Sequence, residues 1–138
     1  MTQQENTREQ LDAAIDAIEG GYEFMLAYAA QGRHSDRGAS SGQSPRERLQ
    51  SMADAMTVLP GLASTIAGQA DADLLGDCAA FFNALDRDAA VAEAAVRLVL
   101  AKGDIGSQLV DNLNASIHLR ALLTDIFLLD EALKPGRQ

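Results

Sequence analysis

The stretch LDAAIDAIEGGYEFMLAYAA, residues 11–30, decides the fold. Leu11, Ile15, Ile18, Tyr22, Met25, Leu26 and Ala29 recur at the three- and four-residue spacing of one buried helical face. Two adjacent glycines, Gly20 and Gly21, sit in the middle of that pattern. Each costs roughly 0.8–1.0 kcal/mol relative to alanine in a helix interior, so the pair needs a reason. One reason is a break between two shorter helices. The other is a close crossing. Ala17, Gly21, Phe24 and Tyr28 form a second stripe, offset from the Ile15–Ile18–Tyr22–Met25 face. A helix with two apolar sides is flanked on both, and a glycine there lets a neighbouring backbone approach. The second reading fits the pattern better and places a crossing helix at Gly20 and Gly21.

Outward from this helix, Gly32 is a natural stop. Residues 32–44, GRHSDRGASSGQS, hold no apolar anchor and read as a mobile loop. The loop ends in Ser44-Pro45-Arg46-Glu47, a capping box with proline at the first helical position. Leu49, Met52, Ala53 and Met56 form the inner face of the next helix, which Pro60 is expected to end. A short helix over 61–70, stopped near Gly68, is expected to follow. Asp71 or Asp73 then caps a helix carrying Leu74, Leu75, Cys78, Phe82 and Leu85. The polar run ALDRDAAVAE (84–93) reads as a break, with Asp86 or Asp88 capping a further helix that Gly103 ends. The last helix is expected from about Ser107 to Leu133, closed by Lys134-Pro135-Gly136. Strand-like alternation is nowhere sustained. The sequence therefore predicts an all-α bundle of four to six helices with antiparallel neighbours, one domain over residues 1–138.

Composition narrows the function. Apolar residues make up 47% of 138, an ordinary globular level, so wholesale disorder is disfavoured. Aromatics are only 4%, so alanine, leucine and valine supply the core, which suits closely packed helices. The net charge of −9 disfavours binding to nucleic acid or to an anionic membrane. It is unevenly spread: −5 over residues 1–31, +2 over 32–48 and −6 over 49–138. A single cysteine, Cys78, excludes an internal disulfide and reads as a core thiol. The start, MTQQENTREQ, lacks the apolar core of a signal peptide, and Ala89–Ala101 is interrupted by Glu93 and Arg97. A cytoplasmic protein without a cofactor is the expectation.

The helices at 11–30, at 89–101 and after Ser107 are apolar nearly all round, more than one small core absorbs. The surplus points to a non-enzymatic interaction protein, an adaptor, chaperone-like factor or regulatory subunit, working as a homodimer or holding a client helix. Gly20, Gly21, Phe24 and Tyr28, with Leu119, Leu122 and Ile126, form the expected association surface. Arg33, Arg37, Arg46 and Arg48 form the one net-positive segment and the expected contact with an acidic partner or phosphate.

Two alternatives use other residues. Glu19 and Glu23, one turn apart, could join His118 in a metal- or ligand-binding bundle, although di-iron bundles use Glu-x-x-His and position 115 is alanine. His118 also suggests a histidine phosphotransfer-like domain. That class shows lysine and then glycine after the histidine, where this chain has Arg120 and Ala121. Asp104, Asp111, His118 and Asp125, seven apart, would form a polar ridge on the last helix.

Overall fold

The computed structural model describes residues 2–37, 44–71 and 73–134. Six helices occur among them: α1 (Gln3–Ala29), α2 (Pro45–Ala70), α3 (Leu74–Asp77), α4 (Ala79–Leu100), α5 (Ser107–Ala115) and α6 (Ile117–Ala132). α1 packs on α2, α2 on α4, α4 on α6, and α5 returns to α1. These contacts close a ring of four columns, the fourth made of α5 and α6. Neighbours are antiparallel. Gly21 of α1 lies against Met52 of α2, Arg97 of α4 reaches Asp54 of α2, and Asp88 of α4 meets Asp125 of α6.

α1 runs unbroken through both glycines. Gly21 is buried, and a Cβ there would collide with the Met52 side chain, itself fully buried. The glycine is thus the site of a close approach, as its stripe predicts, and the crossing helix is α2 of the same chain. α2 on one side and α5 on the other account for the two apolar sides of α1. The helix opens at Gln3 under a capping box: Thr2 Oγ1 accepts from Glu5 N–H at 3.0 Å, and Glu5 Oε2 accepts from Thr2 N–H at 3.3 Å. Gly32 then takes a φ of 67°, open to glycine without strain, and turns the chain back.

At α2 the forward half of the expected capping box is present: Ser44 Oγ accepts from Glu47 N–H at 3.1 Å, with Pro45 at the first position. Three expected boundaries are corrected. Pro60 does not end α2 but lies inside it. Its missing N–H and ring clash cost about 3 kcal/mol. Met56, Leu59, Ala63, Ile66 and Ala67, all buried around it, outweigh that at about 1.5–3 kcal/mol for each large apolar side chain. Next, α4 does not break at Asp86–Asp88. Phe82, Leu85, Ala89, Ala92, Val96 and Val99 hold one continuous buried stripe, and the acids lie off it. The interruption comes at Cys78, between α3 and α4.

The last helix is two helices. Ser116 leaves the helical region (ψ 128°), and its Oγ accepts from His118 N–H at 3.2 Å to open α6. The break redirects the face: Leu113 stays inside, whereas Ile117, four residues on, is exposed. The expected closure at Pro135 and Gly136 lies outside the described residues.

Candidate functional site

Most residues expected to meet a partner are engaged within the chain. Leu119, Leu122 and Ile126 have no exposure at all, and Tyr28 and Gly21 are buried. Gly20 and Phe24 lie under Arg48, whose guanidinium stacks over the Phe24 ring at 5.0 Å and donates to Gly20 O at 3.4 Å. Gly21, Tyr28, Leu119, Leu122 and Ile126 therefore build the bundle interior, while Gly20 and Phe24 are half-buried at its edge, because α2 and α5 cover the second stripe of α1 and the break at Ser116 turns the inner face of α6 inward.

The arginine segment is likewise drawn inward. Arg46 donates to Leu100 O at 2.9 Å, Lys102 O at 3.1 Å and Gly103 O at 3.3 Å, capping the carbonyl end of α4. It also reaches Asp36 at 3.3 Å. Asp36 Oδ1 accepts from Ile105 N–H at 2.9 Å, and Tyr28 O–H donates to Ile105 O at 2.6 Å. Ser107 Oγ donates to Tyr28 O at 2.7 Å and accepts from Arg33 N–H at 2.8 Å. Arg37 pairs with Asp104 at 3.3 Å on the surface. These bonds form a clasp that ties residues 33–37 to the α4–α5 connection. The expectation of a mobile loop is corrected over 32–37, and its remaining part, 38–43, lies outside the described residues. Burial pushes the Asp36 carboxyl up, but the Ile105 N–H and the Arg46 guanidinium outweigh it and hold the group below the usual carboxylate range. Burial raises the Tyr28 phenol above its ordinary value.

Glu19, Glu23 and His118 do not converge. Among the described residues no group of three or more His, Cys, Asp or Glu side chains is placed to hold a metal ion. Glu19 is half-buried; burial, Asp130, Asp16 and Glu23 together raise its pKa. His118 is exposed in the first turn of α6 rather than in the middle of a helix. The heptad ridge is cut at Ser116: Asp111 is exposed on α5, whereas Asp125 turns toward α4.

The apolar surface left uncovered lies on α4 and α6. Among the described residues seven large apolar side chains are exposed, and five of them are Val91 (43%), Leu98 (68%), Ile117 (71%), Phe127 (60%) and Leu128 (62%). The remaining two, Leu26 and Val58, stand apart on α1 and α2. Along α4 the outward stripe is Arg87, Val91, Ala94 and Leu98, spaced i, i+4, i+7, i+11 and exposed throughout. Along α6 the same spacing gives Ile117, Ala121, Thr124 and Leu128. Glu93 and Arg97 do not join this face: they pair with each other at 2.8 Å and turn to Asp54 of α2.

Two features mark the face. In its middle Asp88 and Asp125 meet across the α4–α6 contact, both half-buried. Asp125 Oδ2 is sealed from solvent with no protein donor. Burial first, then the hydrogen bond to Asp88 and its charge, push the Asp125 carboxyl up to about 7. At one end Leu74, Cys78, Phe81, Phe82, Leu128 and Leu129 line a wholly apolar cleft of about 300 Å³. Cys78 is thus half-buried at the cleft wall rather than enclosed in the core. The sequence marks residues 89–101 and the helix after Ser107 as apolar nearly all round, but it places the association surface on Gly20–Tyr28 and on Leu119, Leu122 and Ile126 instead. The signal of the α4/α6 face was the absence of charge between Arg87 and Leu98 on one stripe.

No helix among the described residues is long and apolar enough to cross a membrane. Comparison with known proteins finds no matching family model, no matching curated protein and no matching solved structure.

Proposed function

We propose that this chain is a non-enzymatic helical interaction protein, an adaptor or regulatory subunit, that meets a protein partner through the outer face of α4 and α6, the first such partner being a second copy of itself. The observation that carries this reading is the concentration of exposed Val91, Leu98, Ile117 and Leu128 on one face. A monomer rarely leaves a contiguous apolar patch of that kind in water without a use for it. The acidic balance of the remaining surface agrees with the role, because it keeps the uncovered protein from clumping through its other faces.

The reading is tested by placing a photo-crosslinking amino acid at Leu98, Ile117 or Leu128, with exposed Gln50 on α2 as the control position, and irradiating the cell that makes the protein. Discrete protein adducts from the three α4/α6 positions, and none from Gln50, are the expected result. Adducts equally frequent from Gln50, or none from any position, would refute it.

A further inference from the structure

The face is complementary to itself. Its two ends differ: one projects Leu98 and Ile117, and the other holds the Phe81–Leu128 cleft. Asp88 lies midway along α4 between Cys78 and Leu98, ten residues from each. Rotation by half a turn about an axis crossing α4 at that point exchanges the two ends. Leu98 of one copy then falls over Cys78 and Phe81 of the other, and Ile117 over the end of α6 that carries Leu128 and Ala132. Arg87 stands at the same centre. It points straight out of the face and makes no ion pair among the described residues. A guanidinium driven into an apolar interface is costly unless a carboxylate meets it. Within this face the carboxylates at the right level are Asp88 and Asp125.

Resting on the reading above, we propose that a second copy of this chain covers the face, packed antiparallel about a two-fold axis crossing α4 near Asp88. Leu98 and Ile117 of each copy fill the other's cleft, and Arg87 of each meets the other's Asp88–Asp125 pair. An isologous contact of this kind closes on itself and yields a dimer rather than a filament. The other two-fold arrangement, with the axis along the helices, would set cleft against cleft and the Leu98–Ile117 end against its own like, leaving the cavity unfilled. The area is adequate. α4 has 22 residues, about 33 Å at 1.5 Å per residue. With α6 beside it the face is roughly 20 Å wide. Two copies would bury about 1,300 Å², within the range of a stable specific interface.

The test uses the full chain with Leu98→Cys and the native Cys78. Within one copy the two sulfurs sit at opposite ends of α4, about 30 Å apart, and cannot bond. Mild oxidation is expected to give a covalent dimer whose peptide map shows Cys78 of one chain joined to the introduced thiol of the other, with no such product from the unsubstituted protein. In parallel, sedimentation velocity of the unsubstituted chain is expected to show a monomer–dimer equilibrium. Arg87→Asp or Asp88→Arg alone should weaken it about tenfold or more, and mixing the two variants should restore the dimer, because the mixed pair regains opposite charges at both contacts. Folding of each variant is checked by its helical circular dichroism. A product joined chiefly through the two introduced thiols overturns the proposed arrangement, and so does a monomer at every concentration. If the α4/α6 photo-adducts then contain a different protein, this inference fails while the interaction reading stands; if there are no adducts, both fail.

Discussion

The two glycines at the centre of α1 make the sharpest prediction, because adjacent identical substitutions should act in opposite directions. Replacing either by alanine recovers about 0.8–1.0 kcal/mol of helix propensity. At Gly20 the new Cβ would lie 3.7 Å from Arg48 Nη1, an ordinary contact, so Gly20→Ala should keep most of that gain. At Gly21 the Cβ would fall inside the contact limit of Met52 Cγ and Sδ. Met52 has no exposure, so its side chain can retreat only into a filled interior. Overpacking of this kind costs about 1–3 kcal/mol, which cancels the propensity gain at its lower end and leaves Gly21→Ala destabilised by about 2 kcal/mol at its upper end. The two variants should therefore differ by about 1–3 kcal/mol in urea unfolding followed by circular dichroism at 222 nm. The expected change in melting temperature is about 3–5 °C per kcal/mol for a chain of this size. Met52→Ala supplies the internal control. It should cost about 2–5 kcal/mol alone and less in the Gly21→Ala background, because the new methyl occupies part of the space it leaves. A Gly21→Ala protein as stable as Gly20→Ala, or additivity with Met52→Ala, would refute the close-approach argument.

Arg46→Ala should destabilise the chain by about 1–2 kcal/mol, since three carbonyls at the end of α4 lose their donor, and Arg46→Lys should not restore it because an ammonium cannot span the fork; denaturant titration measures both. Tyr28→Phe should cost about 1–2 kcal/mol and speed amide exchange around Ile105, whose buried carbonyl loses its only donor among the described residues. Asp125→Asn should change the pH profile of stability. Asp88 from α4 is the charged group facing Asp125; on its own helix the neighbours one turn away are Ala121, Leu122, Leu128 and Leu129. The folded pKa of about 7 lies above the ordinary 3.8, so the folded state holds the proton more tightly, and stability falls as pH rises from about 4 to about 7. For a sealed carboxyl that rise would amount to ~4 kcal/mol; with water on the outer side of the pair, about 1–2 kcal/mol is expected. Asp125→Asn should flatten the fall, measured on a Leu98→Asp background so that association does not enter; an unchanged profile would remove the acid pair from the account.

Helix identity was legible in this chain, and helix boundaries were legible only where local chemistry set them. Ser44 and Pro45 mark the start of α2 because a cap and a fixed φ act within four residues. Pro60 misled because the force that overrides it comes from Met56, Leu59 and Ala63 meeting two other helices, which no local pattern contains. Asp86 and Asp88 misled for the converse reason: polar residues off the buried stripe do not interrupt a helix held by Phe82, Leu85 and Ala89. Ser116 was hidden because apolar spacing continues across it from Leu113 to Ile117, and a one-residue change of ψ sends the two to opposite sides of the surface. The candidate face followed from the last of these: with the register of α6 shifted, the residues that read as outward are inward, and Ile117 is outward.

Charge distribution gives the α4/α6 face a further role for the acids of α1. Glu9, Asp12, Asp16 and Glu23 are exposed on α1, and none forms an ion pair among the described residues. Two copies approaching through their α1 surfaces would bring four carboxylates against four, whereas approach through α4 and α6 keeps those surfaces on opposite outer sides. At physiological salt the Debye length is about 8 Å, so repulsion acts at near contact, where orientation is decided, and fades once the acidic surfaces are separated by the thickness of the bundle. The acids would then select which face associates more than how tightly it does. Replacing Asp12, Asp16 and Glu23 together by glutamine or asparagine should leave the dimer affinity at about 0.15 M salt within about threefold while adding higher-order, salt-insensitive aggregation visible by sedimentation. A large loss of dimer affinity in that variant would instead place α1 in the contact and move the interface away from α4 and α6.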